Sequence, residues 1–439
     1  MTQPADDWSA RRLHFVGIGG AGMSGLAIIA LALGAAVTGS DRAESSYTAR
    51  LREHGIEPVL GHRAENVPAG AEVVYSTAIP PDNPERVAGT GRELHRSDLL
   101  AQIAALRRCL AVTGTHGKTT TAAMIVHILR GCGLDPAYVV GGELGDTGIN
   151  AGWGRGEWIV VEADESDRSL LKLSPEIAVL TNAELDHHST YSSRLDLEET
   201  LREFMGHASL GAVVWDRPEL VTLCPSGALA YDAADTAMSP GGSRFHWRGL
   251  EVALAVPGAH NAVNAAGALT AAALAGAEPE PAAAAMPSFR GARRRFELLG
   301  TTAAGVPVYD DYAHHPTEVA ATIAAARTLA PARLVAVFQP HLYSRTRALS
   351  RQFGRALAGA DVAVVLAVYP ARERAEDFPG VDGHLIAAAT ADAAEGRAVA
   401  WMPSMEDARR YLWTALREGD LCLAMGAGDI DSLSRSLVS

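Results

Sequence analysis

A chain of 439 residues is long enough for two or three domains, each with its own core. With 48% hydrophobic and 20% charged residues it has the composition of an ordinary globular protein, and a net charge of −13 excludes a broad nucleic-acid surface. No apolar run reaches the roughly 18 residues of a membrane helix, the four cysteines are too scattered for a zinc ribbon or disulfide framework, and Met1–Ala10 is unlike a signal peptide, so a cytoplasmic enzyme is expected.

Apolar strand-like runs alternate with alanine-rich helical runs from end to end, the pattern of parallel α/β sheets. Three blocks are expected, residues 1–107, 108–291 and 292–439. The first opens with a strand Leu13–Val16, a helix Gly22–Leu33 and strands Ala35–Thr38 and Glu72–Tyr75. Between the first strand and the helix stands Gly17-Ile-Gly-Gly-Ala-Gly22. Gly17, Gly19, Gly20 and Gly22 form a turn that cradles a pyrophosphate on a helix N-terminus, whichever nucleotide carries it. The turn therefore predicts a nucleotide or sugar-nucleotide site. Asp41, just after the next strand, either bonds a ribose or uracil group or serves as a turn residue.

The second block opens with a strand Cys109–Thr113, the loop Gly114-Thr-His-Gly-Lys-Thr-Thr120 and a helix Thr121–Arg130. Lys118 is one of only two lysines; the other is Lys172, and every other basic residue among the 38 Lys and Arg is arginine. A chain that uses arginine almost everywhere but keeps this lysine between glycine and threonine needs a compact ammonium there. Backbone N–H groups freed by the glycines, the helix N-terminus and Lys118 together predict a nucleotide triphosphate loop, with the Thr119 hydroxyl on Mg²⁺. The loop is shorter than the usual G-x-x-x-x-G-K-[ST], because Val112 stands where the first glycine belongs.

Two further strands, Trp158–Glu162 and Ile177–Thr181, end in polar loops. Glu162, at a strand end in the sheet of the phosphate loop, is the expected metal ligand of Glu162-Ala-Asp-Glu-Ser-Asp167, whose other carboxylates fit a solvated loop. One of His187 and His188, in Thr181-Asn-Ala-Glu-Leu-Asp-His-His188, is expected to face the site as a second ligand. A helix Asn261–Ala275 leads to alanine-rich Glu278–Ala285, expected to be a helix with a mobile joint. The third block has strands Val306–Tyr309, Leu334–Phe338, Val362–Val368 and Leu421–Met425 with helices between.

In order, the motifs resemble the Mur ligase family through all three blocks. They are His14-Phe-Val-Gly-Ile-Gly-Gly-Ala-Gly-Met-Ser24, Gly114-Thr-His-Gly-Lys-Thr-Thr-Thr121, Glu162-Ala-Asp-Glu-Ser-Asp167, Asp186-His187, Pro257-Gly-Ala-His-Asn-Ala-Val-Asn264, Arg294-Arg-Phe296, Asp310-Asp-Tyr-Ala-His-His-Pro-Thr-Glu318, Phe338-Gln-Pro-His341 and Gly426-Ala-Gly-Asp-Ile430. The resemblance implies a Rossmann-like UDP-sugar-binding domain, a central ATPase-type parallel-sheet domain and a Rossmann-like C-terminal domain that closes and brings the amino acid. It implies ATP and Mg²⁺, small-molecule substrates, and a monomer or weak homodimer. By motif position, Gly114, Thr115, His116, Gly117, Lys118, Thr119 and Thr120 would take the ATP phosphates, and Glu162 and His187 the metals. His260, Asn261 and Asn264 would line the adenosine side, with Arg295 and Asp311 reaching the nucleotide. Arg345 would hold the amino-acid carboxylate, a bidentate task that suits arginine, with Tyr312 and His315 near it.

Three positions depart from the family pattern: Leu342 in place of an arginine, Ser189 in place of an aspartate and Ala313 in place of a glycine. No lysine follows Lys172, so the branches that use a carbamylated lysine are disfavoured and the alanine-adding branch is favoured. The implied reaction joins L-alanine to the lactyl carboxylate of UDP-N-acetylmuramic acid through an acyl phosphate, with His187, His315 or the departing phosphate as base. Alternatives are a peptide ligase of cell-wall recycling, an NAD-dependent oxidoreductase built on Gly17–Gly22, and a non-catalytic nucleotide sensor.

Overall fold

The computed structural model describes residues 7–186 and 190–438; His187, expected as a metal ligand, lies outside the described residues together with His188 and Ser189. The first sheet carries β1 (Arg12–Val16), β2 (Ala36–Asp41), β3 (Val59–Leu60), β4 (Glu72–Tyr75) and β5 (Glu93–His95), all parallel, in the order β3-β2-β1-β4-β5. The second carries β6 (Arg108–Thr113), β7 (Ala137–Val139), β8 (Ala151–Gly152), β9 (Trp158–Glu162), β10 (Ile177–Leu180), β11 (Gly211–Trp215) and β12 (Leu229–Tyr231). Its order is β12-β11-β10-β6-β9-β7-β8, parallel except at β8.

A small antiparallel sheet follows, β13 (Ala234–Ser239), β14 (Gly242–Trp247) and β15 (Leu250–Leu254). The last sheet holds β16 (Glu297–Thr301), β17 (Pro307–Asp311), β18 (Arg333–Phe338), β19 (Val362–Val365), β20 (Ala398–Trp401) and β21 (Asp420–Met425). Its order is β16-β17-β21-β18-β19-β20, with β16 antiparallel.

The chain packs as two compact units, Met1–Asp232 with Asn264–Met286, and Ala233–Val263 with Pro287–Ser439. In the first, Leu110, Val112, Val160 and Val179 are wholly buried. A parallel strand covered by helices on both faces must be apolar throughout, which is why these strands read as continuous hydrophobic runs and not as alternating ones. In the second unit, Ala336 and Phe338 of β18 join one apolar cluster and Val335 and Val337 another, one on each face of the sheet.

Strand order reverses at β1 in the first sheet and at β6 in the second. Ligands of such sheets sit outside the carboxyl ends of the strands at that point. Both predicted glycine turns lie there.

The structure alters some expected elements. The helix after the phosphate loop runs Lys118–Gly131, so Lys118 is its first residue, because Gly117 at φ 80° serves as the N-cap. Within the alanine-rich stretch, Pro279–Ala285 is a helix, as expected, started by a proline in its first turn. It packs on the phosphate-loop helix, where the His127 ring Nε2 donates to the Ala285 carbonyl at 3.0 Å. The β13–β15 sheet was not foreseen.

Candidate functional site

The phosphate loop is held open by the sequence around it. Gly114 has φ 122°, and a Cβ there would collide with the Thr181 hydroxyl; at Gly117 it would come within 2.7 Å of Asn264 Oδ1. Only glycine allows so close an approach with left-handed backbone. The segment after β10 supports the loop's other side. Asn182 Oδ1 accepts the His116 N–H at 2.8 Å, its Nδ2 donates to the His116 carbonyl at 2.9 Å, and the Thr115 hydroxyl donates to the Glu184 carbonyl at 2.8 Å. Among the described residues no side chain caps the Lys118–Gly131 helix, so its first N–H groups stay available to an anion.

Lys118 Nζ donates to the Gly114 carbonyl at 2.6 Å and lies 2.9 Å from Glu165, which is 1% exposed. Burial by itself would lower the pKa of this ammonium, but Glu165, Asp164 and Glu162 carry it above the ordinary lysine value. The lysine is charged, and the neighbouring carboxylates fix its position. Burial likewise works against ionised Asp164, yet Arg96 at 2.9 Å and Lys118 hold its pKa down at about 2. Asp164, Glu165 and Arg96 are site residues that motif reading left as a solvated loop or did not name. The signal that could have found them is four carboxylates in six residues facing a sole loop cation.

Thr119 Oγ1 donates to Glu162 Oε1 at 2.9 Å, and Glu162 Oε2 accepts the Gly141 N–H. Two of the three expected metal ligands, Glu162 at the end of β9 and Thr119 in the first turn of the helix that follows β6, are thus brought together. A hydroxyl and a carboxylate are the hard oxygen donors Mg²⁺ takes, so this pair fits that ion.

At the other turn, Gly17 has φ 77°, and Gly20 starts the helix Ala21–Ala32 without a side-chain cap. Asp41, the last residue of β2, accepts the Gly19 N–H at 2.8 Å. Of the two roles open to Asp41, the structure displays the turn-holding one. Beneath it, buried Glu85 accepts from Ser40 Oγ at 2.5 Å and Asn66 Nδ2 at 2.5 Å, and lies 3.5 Å from His14 Nε2 and 3.4 Å from His62 Nδ1. Burial pushes its pKa up, but bonds from His14, Ser40, Asn66 and the Arg63 N–H overcome it and leave it at about 2.

The second unit gathers the remaining predicted residues. Arg345, 4% exposed, lies with Nη1 3.2 Å from His341 Nδ1. His341 is stacked on Tyr369 at 5.9 Å, and His314 meets both His341 and Tyr312 edge-on. It is His314, and not the predicted His315, that joins Tyr312 to this group. The His315 ring accepts the Thr317 N–H and caps the helix Pro316–Arg327. Asp311 binds the N–H groups of Phe296 and Ala313, both at 2.7 Å, and burial raises its pKa to about 6 despite Arg295. Arg295 lies over the Tyr312 ring, while Arg294 pairs with Asp310 and donates to the Gly426 and Gly428 carbonyls. His260 and Asn261 open the helix Ala259–Leu274, where Asn261 donates to the Pro257 carbonyl at 2.7 Å. Leu342 starts the helix Tyr343–Leu357 at φ 70° and is buried.

Models of three Mur ligase regions match the chain in order: the Mur ligase family catalytic domain over residues 12–108, the Mur ligase middle domain over 112–272, and the Mur ligase glutamate ligase domain over 294–428. The chain belongs to the Mur ligase family. A UDP-N-acetylmuramate–L-alanine ligase of Rubrobacter xylanophilus is 44% identical, with 98% of this chain and 99% of that protein covered. The ligase of that name from Acidithiobacillus ferrooxidans is 42% identical over 97% and 96%. Among solved structures, the UDP-N-acetylmuramate–alanine ligase of Thermotoga maritima superposes with a TM-score of 0.84 at 28% identity, covering 97% of this chain and 98% of that one. A murein peptide ligase from Psychrobacter arcticus, 24% identical with 98% of each chain covered and a TM-score of 0.73, shares the fold.

Proposed function

We propose that the protein joins L-alanine to the lactyl carboxylate of UDP-N-acetylmuramic acid with hydrolysis of ATP to ADP and phosphate, in the cytoplasm, as a step of peptidoglycan precursor synthesis. The observation that carries this reading is the Lys118 ammonium at an uncapped helix N-terminus, beside the Thr119–Glu162 oxygen pair, in a chain alike over its full length to alanine-adding ligases.

The Gly17–Gly22 turn takes the pyrophosphate of the UDP-sugar, and the Gly114–Thr120 loop takes the triphosphate of ATP. Mg²⁺ on Thr119 and Glu162 would neutralise phosphate charge. A lactyl carboxylate oxygen attacks the γ-phosphorus, the bond to ADP breaks, and an acyl phosphate results. Lys118 and the helix N–H groups stabilise the charge that spreads over the transferred phosphoryl oxygens; this step needs positioning and electrostatics more than covalent help. The neutral amine of L-alanine, its carboxylate on Arg345, then attacks the acyl carbon, the C–O bond to phosphate breaks, and the departing phosphate takes the proton the nitrogen gives up.

The test is phosphate release by the full chain with Mg²⁺, ATP and UDP-N-acetylmuramic acid against a panel of amino acids and the tripeptide of the recycling ligase. Turnover is expected with L-alanine. No phosphate release with L-alanine sinks the reading, and release with the tripeptide alone moves the protein to the recycling reaction.

A further inference from the structure

Gln339 follows β18 directly and is 5% exposed. Its Nε2 donates to Asp429 Oδ1 at 2.8 Å, which settles the orientation of the amide: nitrogen toward Asp429, carbonyl oxygen away from it. That oxygen is buried, and among the described residues no donor reaches it. Buried amide oxygens are nearly always paired, because an unmet one loses its water and gains nothing in return. An acceptor left open is expected where a ligand supplies the donor.

The surroundings say which ligand. Gly428 leaves room for this oxygen: a Cβ there would run into Gln339 Oε1 and come within 2.6 Å of Tyr369 Cγ. The ring of Tyr369 lies parallel to that of His341, and His341 contacts the Arg345 guanidinium. Tyr369 also accepts the Leu342 N–H at 3.0 Å, so the backbone before the Arg345 helix is tied to the same wall. A buried guanidinium and an open carbonyl acceptor thus share one corner at the carboxyl ends of β18 and β21. A small α-amino acid offers the complementary pair, a carboxylate and a set of N–H donors on the adjacent carbon.

Resting on the ligase reading above, we infer that Gln339 Oε1 accepts an N–H of the α-amine of the amino acid whose carboxylate Arg345 holds. An amide oxygen is no base at neutral pH, so Gln339 selects and orients the nitrogen without removing its proton. It takes an N–H from the ammonium on binding and from the neutral amine afterwards, and turns the lone pair away from itself. It also favours α-amino acids over carboxylic acids that lack the amine.

Gln339→Met keeps length and apolar fill but removes the acceptor. In the full chain, with phosphate release as the readout, KM for L-alanine is expected to rise about tenfold or more. KM for ATP should stay within about twofold, and inhibition by propionate, a carboxylate of alanine's size with no amine, should be unchanged. Asp429→Ala, which removes the brace on Nε2 but leaves Oε1, should alter KM for L-alanine far less. If Gln339→Met is poorly folded by its melting temperature, Gln339→Leu replaces it, with the same rise in KM for L-alanine expected and an unchanged KM overturning the inference. Loss of propionate inhibition in step with alanine, an equal loss in Asp429→Ala, or an unchanged alanine KM in Gln339→Met would each overturn the inference. An inactive unmodified chain would instead overturn the ligase reading.

Discussion

The two glycine turns of the first unit stand at equivalent places in their sheets and have different chemistry. Each ends a central strand, β1 or β6, at the point where its sheet reverses strand order. Each uses a glycine near φ +80°, Gly17 or Gly117, and each starts a helix that no side chain caps among the described residues. Both therefore present free N–H groups to an anion. What separates them is fixed charge. At Gly114–Thr120 an ammonium sits among Glu162, Asp164 and Glu165, so the site holds both a cation for phosphate and carboxylates for a cation. At Gly17–Gly22 Asp41 is bonded to the turn itself, and the cation at hand, Arg96 beside Gly22, comes from outside the turn and is already paired with Asp164. A glycine turn announces an anion; the ionisable residues around it say what is to be done with the anion.

That contrast breaks most plainly at Lys118. Lys118→Ala should lower kcat by about 10³-fold or more, the scale seen when a charge-stabilising donor is removed from phosphoryl transfer. It also takes the paired ammonium away from buried Glu165, at a stability cost of about 3 kcal/mol. The double variant Lys118→Ala with Glu165→Gln should recover much of the melting temperature and none of the turnover. Recovery of both would make the lysine a structural counter-ion only.

A smaller change sharpens the metal half. Thr119→Val keeps the shape of the helix start but deletes the hydroxyl beside Glu162. The Mg²⁺ concentration for half-maximal rate should rise by about 10-fold to 100-fold while KM for L-alanine stays unchanged. An unaltered Mg²⁺ dependence would remove Thr119 from the metal.

The central strands, both turns and the Lys118–Thr119–Glu162 grouping were legible in the sequence because each depends on local chemistry: apolar runs, glycines at forced φ values, ionisable residues at strand ends. Boundaries slipped where one backbone angle decides them, as at Gly117. Which histidine of His314 and His315 faces the aromatic group could not be read, because it turns on a helix cap that claims the His315 ring. The β13–β15 sheet escaped although its turns are written plainly: Pro240-Gly241 is a Pro-Gly turn, and Arg248-Gly249 has positive φ at both residues, the tight hairpin geometry. Asp164 and Glu165 looked like surface acids because sequence spacing does not tell how close a cation lies.

Acid separates the stabilities of the regions. Glu85, under the first turn, is held at about 2 in the folded chain against an ordinary 4.5. A carboxylate depressed on folding stabilises the fold fully above its unfolded pKa, and that contribution fades as pH falls from about 4.5 toward 2. The difference corresponds to about 3 kcal/mol. In the second unit burial raises Asp311 to about 6, so acid protonates it at no such loss. Glu85→Gln should flatten the decline in melting temperature between pH 5 and pH 3, on the order of the range just given. An unchanged slope would put the acid sensitivity elsewhere, with Asp164 the next group to examine.

The mildest variant asks whether Asp41 serves the turn or the nucleotide. Its bond to the Gly19 N–H is a single partly buried contact, and its loss should cost about 1 kcal/mol. If the carboxylate only holds the turn, Asp41→Asn, whose one amide oxygen can still accept the Gly19 N–H but gives up the Arg42 N–H that the second carboxylate oxygen now takes at 2.7 Å, should lower the melting temperature only slightly and leave KM for the UDP-sugar near normal. If it also bonds a ribose or uracil group, Asp41→Asn should retain stability yet raise that KM, because a charged acceptor binds a donor more strongly than an amide does. The first outcome leaves the turn as a cradle for phosphate alone, with recognition of the rest of the nucleotide falling to other residues. The second gives the uncharged-looking turn its own ionisable partner and narrows the contrast with Lys118, since a carboxylate would then choose the ligand at both.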